Sequence, residues 1–278
     1  TRVDIALNKY KTKTGVIKTV TDGLGNATDI SYKPLTDTAI YTKGTGASYP
    51  EVDILNAAYV VSSVSVDNGI GGQNDISYSY TGAKVSYERG FLGFTSQTTT
   101  DHTTGIKSTS HYKQSYPLTG LVASTQQHLL DGTLIGESSV SYSTITTHTG
   151  VETVASHTGT LFAYPDTTVQ KQYELDGTLI STITTTNSNY DSYGNAQLVT
   201  ATTTGADYNG VMESYVTQTV KSYNNDTNNW ILGLLKTADT TKTRPNGLSD
   251  TRSTAFHYKA NTRLLSTTVI EPNNIAAL

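Results

Sequence analysis

The stretch QQHLLDGTLI (Gln126–Ile135) returns as KQYELDGTLI (Lys171–Ile180), with Leu130 and Leu175 standing 45 residues apart. In each copy a polar run leads into Asp-Gly and a Ser/Thr-rich run leaves it. Tight hairpin turns need positive φ, which glycine adopts without steric cost and which Asp tolerates. Asp131-Gly132 and Asp176-Gly177 therefore read as two-residue turns between strands, with Leu and Ile anchoring the strands on either side. A six-residue identity also suits a duplicated ligand loop. Because the flanks match as well as the loop, the repeat reads as a building unit, and the interval as about two hairpin repeats.

The same punctuation recurs along the chain. DGLGN, with Asp22, Gly23, Gly25 and Asn26, is a strong turn signal, as are DNGIGG (Asp67–Gly72), YGN (Tyr193–Asn195, with Gly194 and Asn195) and PNG (Pro245–Gly247). Between turns the chain alternates. NDISYSYTG (Asn74–Gly82) sets Ile76, Tyr78 and Tyr80 on one face and Ser77 and Ser79 on the other, and TAFHYKA (Thr254–Ala260) sets Phe256 and Tyr258 together. The expectation is strands of roughly 5–8 residues in meandering hairpins. Helical periodicity is confined to YPEVDILNAAYV (Tyr49–Val60), where Pro50 suits a helix start and where a loop crossing a sheet fits equally.

Composition agrees. Threonine is the commonest of the 278 residues, Tyr occurs 19 times and Gly 23 times, and charged residues are only 15%. Thr and Tyr suit a pleated, half-buried surface. A net charge of −4 builds no positive field, so no nucleic-acid partner is expected. The absence of cysteine removes disulfides, thiolate metal sites and a cysteine nucleophile, and fits an exported protein. No run of about 18 apolar residues is present, so no membrane-spanning segment is expected. The chain opens Thr1-Arg2-Val3 and reads as a processed product or a piece of something longer.

A second unit recurs more loosely: IKTVTDGLGNATDISY (Ile17–Tyr32), NSNYDSYGNAQLVTATT (Asn187–Thr203) and TTTDHTTGIKSTSHY (Thr98–Tyr112). Units of about 20 residues, each a hairpin, cannot bury a face alone and must stack into an extended sheet. YDSYGN (Tyr190–Asn195) resembles the Rhs/YD repeat. DGLGNATDISYKPLTDTAIYTKG, YVVSSVSVDNGIGGQNDISYSYTGAK, RGFLGF (Arg89–Phe94), YPLTGL (Tyr116–Leu121) and NNWILGLLKT (Asn228–Thr237) follow in an order that resembles the post-propeller segment of the B component of insecticidal Tc toxin complexes, and SpvB-like proteins. That resemblance covers nearly all of the chain. It implies a β-strip curved as part of a hollow shell around a toxic polypeptide, and a secreted or cell-surface bacterial setting. The family's self-cleaving aspartyl protease segment is not found in this sequence.

Chemistry has few footholds. Asp67, Asn68 and Asp75 in DNGIGGQND can offer oxygen ligands to calcium, but the closing bidentate Glu is missing, so a hairpin turn explains the segment better. His102, His111, His128, His148, His157 and His257 show no metal spacing. GESSVS (Gly136–Ser141) lacks the second glycine that would make Ser138 a nucleophile elbow. The acids sit in turns rather than as a pair across a cleft. Tyrosines can stack on sugar rings, but rows of them also form cross-strand ladders, and their recurrence with the turns favours the ladder.

The expectation is an all-β, extended antiparallel sheet of consecutive hairpins. It forms one region, 1–278, with a sub-boundary near 121–126. No catalysis and no cofactor are expected. The partners expected are other shell segments, or identical subunits through the sheet edges, and an enclosed polypeptide. The rival reading is an adhesive or filament-forming repeat protein, with glycan binding as one form of it.

Overall fold

In the computed structural model, residues 15–146 and 161–272 are described. In chain order the strands are β1 (Thr19–Thr21), β2 (Ala27–Pro34), β3 (Tyr41–Thr42), β4 (Glu51–Asp53), β5 (Tyr59–Asp67), β6 (Gln73–Thr81), β7 (Lys84–Ser86), β8 (Gly90–Gly93), β9 (Ser96–Asp101) and β10 (Ile106–Tyr112). They continue as β11 (Val122–Leu129), β12 (Leu134–Thr146), β13 (Leu161–Tyr173), β14 (Leu179–Tyr190), β15 (Ala196–Ala206), β16 (Met212–Asp226), β17 (Ile231–Thr243), β18 (Ser249–Tyr258) and β19 (Leu265–Ile270). Among the described residues there is no helix, and one 16-stranded sheet runs β1-β2-β5-β6-β9-β10 and then in unbroken order to β19, without closing into a barrel. Every pairing on that path is antiparallel, while β3 adds to β6 in parallel. β4, β7 and β8 form a separate three-stranded sheet.

Antiparallel neighbours in consecutive order put successive connections at opposite ends of the strands. One margin of the strip therefore carries only short turns: β1–β2, β5–β6, β9–β10, β11–β12, β13–β14, β15–β16 and β17–β18. The other margin carries the long excursions between β2 and β5 and between β6 and β9, the loop between β10 and β11, and the remaining hairpin ends. Both copies of LDGTLI fall on the short-turn margin. Their 45-residue interval holds β12 and β13, a single up-and-down period rather than two hairpin repeats.

The strands of the second half are longer than expected, 10 to 15 residues from β12 to β18. Between Gly177 and Asp191 the chain has no glycine, proline or aspartate, and the pairing of β14 runs on to Tyr190. Hydroxyls link partners directly opposite one another: Thr98 with Thr109 at 3.0 Å, Ser222 with Thr237 at 2.6 Å, and Thr241 with Thr251 at 2.8 Å. Such pairs hold adjacent strands together where no second layer covers them.

The apolar core is small and sits at the looped margin. Leu35, Ile40, Tyr41, Tyr80 and Ala83 are buried together, with Ile54, Val60, Tyr78 and Phe94 against them. Phe94 packs on Tyr80 at 4.8 Å between ring centroids and edge-on to the exposed Phe91 at 5.7 Å, so the end of RGFLGF, just past β8, closes on this core. The Tyr41 hydroxyl donates to the Ile54 carbonyl at 2.7 Å and accepts from the Ala83 amide at 3.1 Å. Gln114, just before YPLTGL, donates its side-chain amide to the carbonyls of Gly82 and Gly93. The helix considered for 49–60 does not form. Glu51–Asp53 pair with Lys84–Ser86, and Ile54 and Val60 pack on the core, so tertiary pairing overrides a local pattern that fitted either state.

Candidate functional site: a tyrosine seam and its turns

Most of the short turns share one construction. In Leu129–Thr133 the Leu129 amide donates to the Thr133 carbonyl, the Gly132 amide donates to the Leu129 carbonyl, and Gly132 alone takes a left-handed φ of 93°. Glu174–Thr178 repeats this with Gly177, Asp22–Asn26 with Gly25, and Asp191–Asn195 with Gly194. These are three-residue loops, a tight turn followed by one left-handed residue, not the two-residue turns expected. Asp131 and Asp176 instead use their carboxylates, which accept the amides of Thr133 at 2.9 Å and Thr178 at 2.8 Å. Gly23 lies inside its loop without positive φ. The first residue of several of these loops is strongly apolar and exposed: Leu130, Leu175 and Tyr208, the last 96% accessible.

Turn hydrogen bonds set the carboxylates below their ordinary range. The Asn26 side chain, then the Asn26 and Leu24 amides, lower Asp22. The Thr133 amide and hydroxyl lower Asp131, and those of Thr178 lower Asp176. At Asp191 burial pushes upward, but bonds from Asn195, Asn225 and Tyr193 outweigh it. Asn225 reaches Asp191 from the end of β16 at 3.1 Å, while its own oxygen accepts the Gly233 amide at 2.8 Å. The YDSYGN turn is thereby tied to the next hairpin.

The residues weighed as weak calcium candidates are otherwise engaged. Asp67 accepts the Ala27 amide at 2.8 Å, Asp75 accepts the Ser65 hydroxyl at 2.6 Å, and the Asn68 oxygen accepts the amides of Ile70 and Gly72 inside its own turn. Among the described residues no three His, Asp or Glu side chains gather as a metal site. His102 hydrogen-bonds Ser77 at 2.9 Å, and His111, His128 and His257 lie in strand pairings, whereas His148 and His157 lie outside the described residues. Ser138 sits in mid-sheet, paired with Thr125 and Gln170. The densest charged group is Glu137 with Lys171 directly opposite at 2.8 Å and the Tyr173 hydroxyl at 2.8 Å. Lys171 first, then Tyr173, lowers the Glu137 carboxyl. The trio cross-links neighbouring strands and contains no nucleophile with a base behind it.

The recurrent arrangement is a seam of tyrosines. Tyr32, Tyr80, Tyr112, Tyr142, Tyr190, Tyr223 and Tyr258 stand toward the looped-margin ends of β2, β6, β10, β12, β14, β16 and β18, one on every second strand of the path. Five hydroxyls donate to main-chain carbonyls on the preceding strand: Tyr80 to Val61 (2.9 Å), Tyr142 to Val122 (2.8 Å), Tyr190 to Pro165 (3.4 Å), Tyr223 to Ala196 (3.1 Å) and Tyr258 to Leu235 (3.1 Å). The acceptors follow a rule. Val61, Val122, Pro165, Ala196 and Leu235 are the residues paired in register with Tyr32, Tyr112, Tyr142, Tyr190 and Tyr223. At four of these pairings the following strand carries one extra residue, Ser62, Ala123, Asp166 or Lys236, as a bulge. Burial raises the hydroxyls: Tyr80 to about 12, with Tyr142, Tyr190 and Tyr223 also above their ordinary value. The motif was legible as Ser-Tyr, His-Tyr or Asn-Tyr closing each alternating run. The ladder was expected, but the backbone acceptors, four of the five beside a bulge, were not.

Residues 1–122 match the family described as the insecticide toxin TcdB middle/N-terminal region. The match takes in both excursions and the small core and ends on the first residue of β11. No curated protein matches the chain. β11 is paired on both sides, to β10 and β12, so the sheet crosses 121–126 without a break. The YDSYGN turn and the long strands lie beyond the matched residues.

Proposed function

We propose that the chain is a structural segment of a toxin complex, a strip of wall from a protein like the B component of Tc toxins, that encloses or supports a cargo polypeptide and catalyses nothing itself. One observation carries this reading: the sheet is a long single layer with little core. Most of its strands have hydroxyl-rich, half-exposed residues on both faces, and among the described residues no large side chain is fully buried. Ordinary domains pack two layers around a core, so a lone sheet of this length suits a partition whose two faces meet different surroundings. The family match over residues 1–122 supports membership of a multi-subunit toxin and is compatible with a secreted bacterial protein. Among the described residues no helix is long and apolar enough to cross a membrane.

The test is the mass and shape of native material containing this chain, by light scattering and negative-stain microscopy. A discrete particle fits a wall segment. Micrometre-long polymers would replace it with the filament reading, since open strand edges also support end-to-end growth.

A further inference from the structure

The tyrosine seam has a sixth acceptor position. Tyr258 pairs in register with Leu265, across a bulge that leaves Ser266 extra, as Tyr223 pairs with Leu235 across Lys236. In five of the six earlier units, the residue in that position gives its carbonyl to the tyrosine of the next strand along; the exception is Gln97, which pairs with Tyr80 without a bulge. Leu265 lies on β19, the last strand of the path, with no further strand beside it among the described residues. Leu264, Leu265 and Ile270 are exposed there.

We propose that the outer edge of β19 docks an antiparallel strand carrying a tyrosine, whose hydroxyl is received by the Leu265 carbonyl. The occupant follows from continuity with the seam: strands that accept through this position are followed each time by a tyrosine-bearing antiparallel strand. Among the described residues, the edge strands of a second copy do not supply it, because neither β1 nor β19 contains tyrosine. The strand's main chain supplies most of the attachment, and the tyrosine fixes its register against one-residue slips, each of which would turn every side chain to the other face. This inference rests on the reading of the chain as a strip that continues through its edge.

The probe is a labelled peptide with the sequence of Ser249–Tyr258, added to the full 278-residue chain, against the same peptide carrying Tyr258→Phe. Affinity is read by fluorescence anisotropy and the docking position by hydrogen exchange of residues 265–270. The expected result is protection of those amides by both peptides, with the Phe peptide binding about fivefold more weakly, the value of one hydrogen bond. Equal affinities with protection at β19 would overturn the tyrosine receptor and leave the continuing strip intact. Absence of protection at β19 with either peptide would overturn the docking edge itself. The particle measurement above separately decides the wall reading.

Discussion

The Tyr223 hydroxyl on β16 donates to the Ala196 carbonyl on β15 at 3.1 Å, and Ala196 is the residue paired with Tyr190 one strand further back. The side chain of β16 therefore grips β15 at the residue that pairs with β14, near the same margin. Repetition of this tie gives the strip a fixed edge where its faces provide little burial.

Removing one tie is expected to be measurable. Tyr223→Phe keeps the ring and deletes the donor, and should lower stability by about 1 kcal/mol. Urea unfolding should show a lower midpoint at unchanged slope. No measurable loss would mean that the ring, which the variant keeps, and not the hydrogen bond carries the seam.

High pH should loosen the seam. Tyr80, Tyr142, Tyr190 and Tyr223 are raised above 10.0 in the fold, chiefly by burial, and Tyr80 reaches about 12. A group held protonated by the fold gives its full contribution below the unfolded value and loses it as pH rises through the folded value. Stability should fall from pH 10 towards 12. The combined Tyr142→Phe, Tyr190→Phe and Tyr223→Phe variant should fall less steeply, as read by circular dichroism during titration.

Two glycines separate turn geometry from packing. Gly132 and Gly194 both hold positive φ, but a β-carbon at Gly132 meets nothing within 4 Å, whereas one at Gly194 lies 2.9 Å from the Phe162 ring. Gly132→Ala should cost about 1–2 kcal/mol from conformation alone. Gly194→Ala should cost about 1–3 kcal/mol more from overpacking. In a Phe162→Ala background that excess should vanish, and a double-mutant cycle measures it.

The acid limb should trace to the turns. Asp22, Asp131 and Asp176 lie below 3.8 in the folded chain through their turn hydrogen bonds. Depressed carboxylates contribute stability above the unfolded value and lose it as pH falls through the folded one. Stability should therefore decline below about pH 3.8, and Asp131→Asn with Asp176→Asn, which keep an acceptor oxygen, should flatten that decline in pH-dependent denaturant melts.

The all-β hairpin order was legible because Asp-Gly and Gly-Asn mark chain reversals and Ile76, Tyr78 and Tyr80 alternate in their strand. Turn size was not, since a three-residue loop and a two-residue loop use the same Asp and Gly and differ in which hydrogen bonds close. Strand length was underread because it is set by pairing: β14 runs past Asn187 and Asn189 to Tyr190 since β15 lies beside it over that length. The carbonyl acceptors of the seam were invisible because a bulge at Ala123 or Lys236 leaves no residue-type signature.

The most direct measurement is cryo-electron microscopy of the native assembly that contains this chain. The expected image is a hollow particle with the strip in its wall, one face toward an interior polypeptide density and the other toward solvent. A solid fibre built from stacked copies of the sheet, or a free module with both faces in solvent and no enclosed volume, would contradict it.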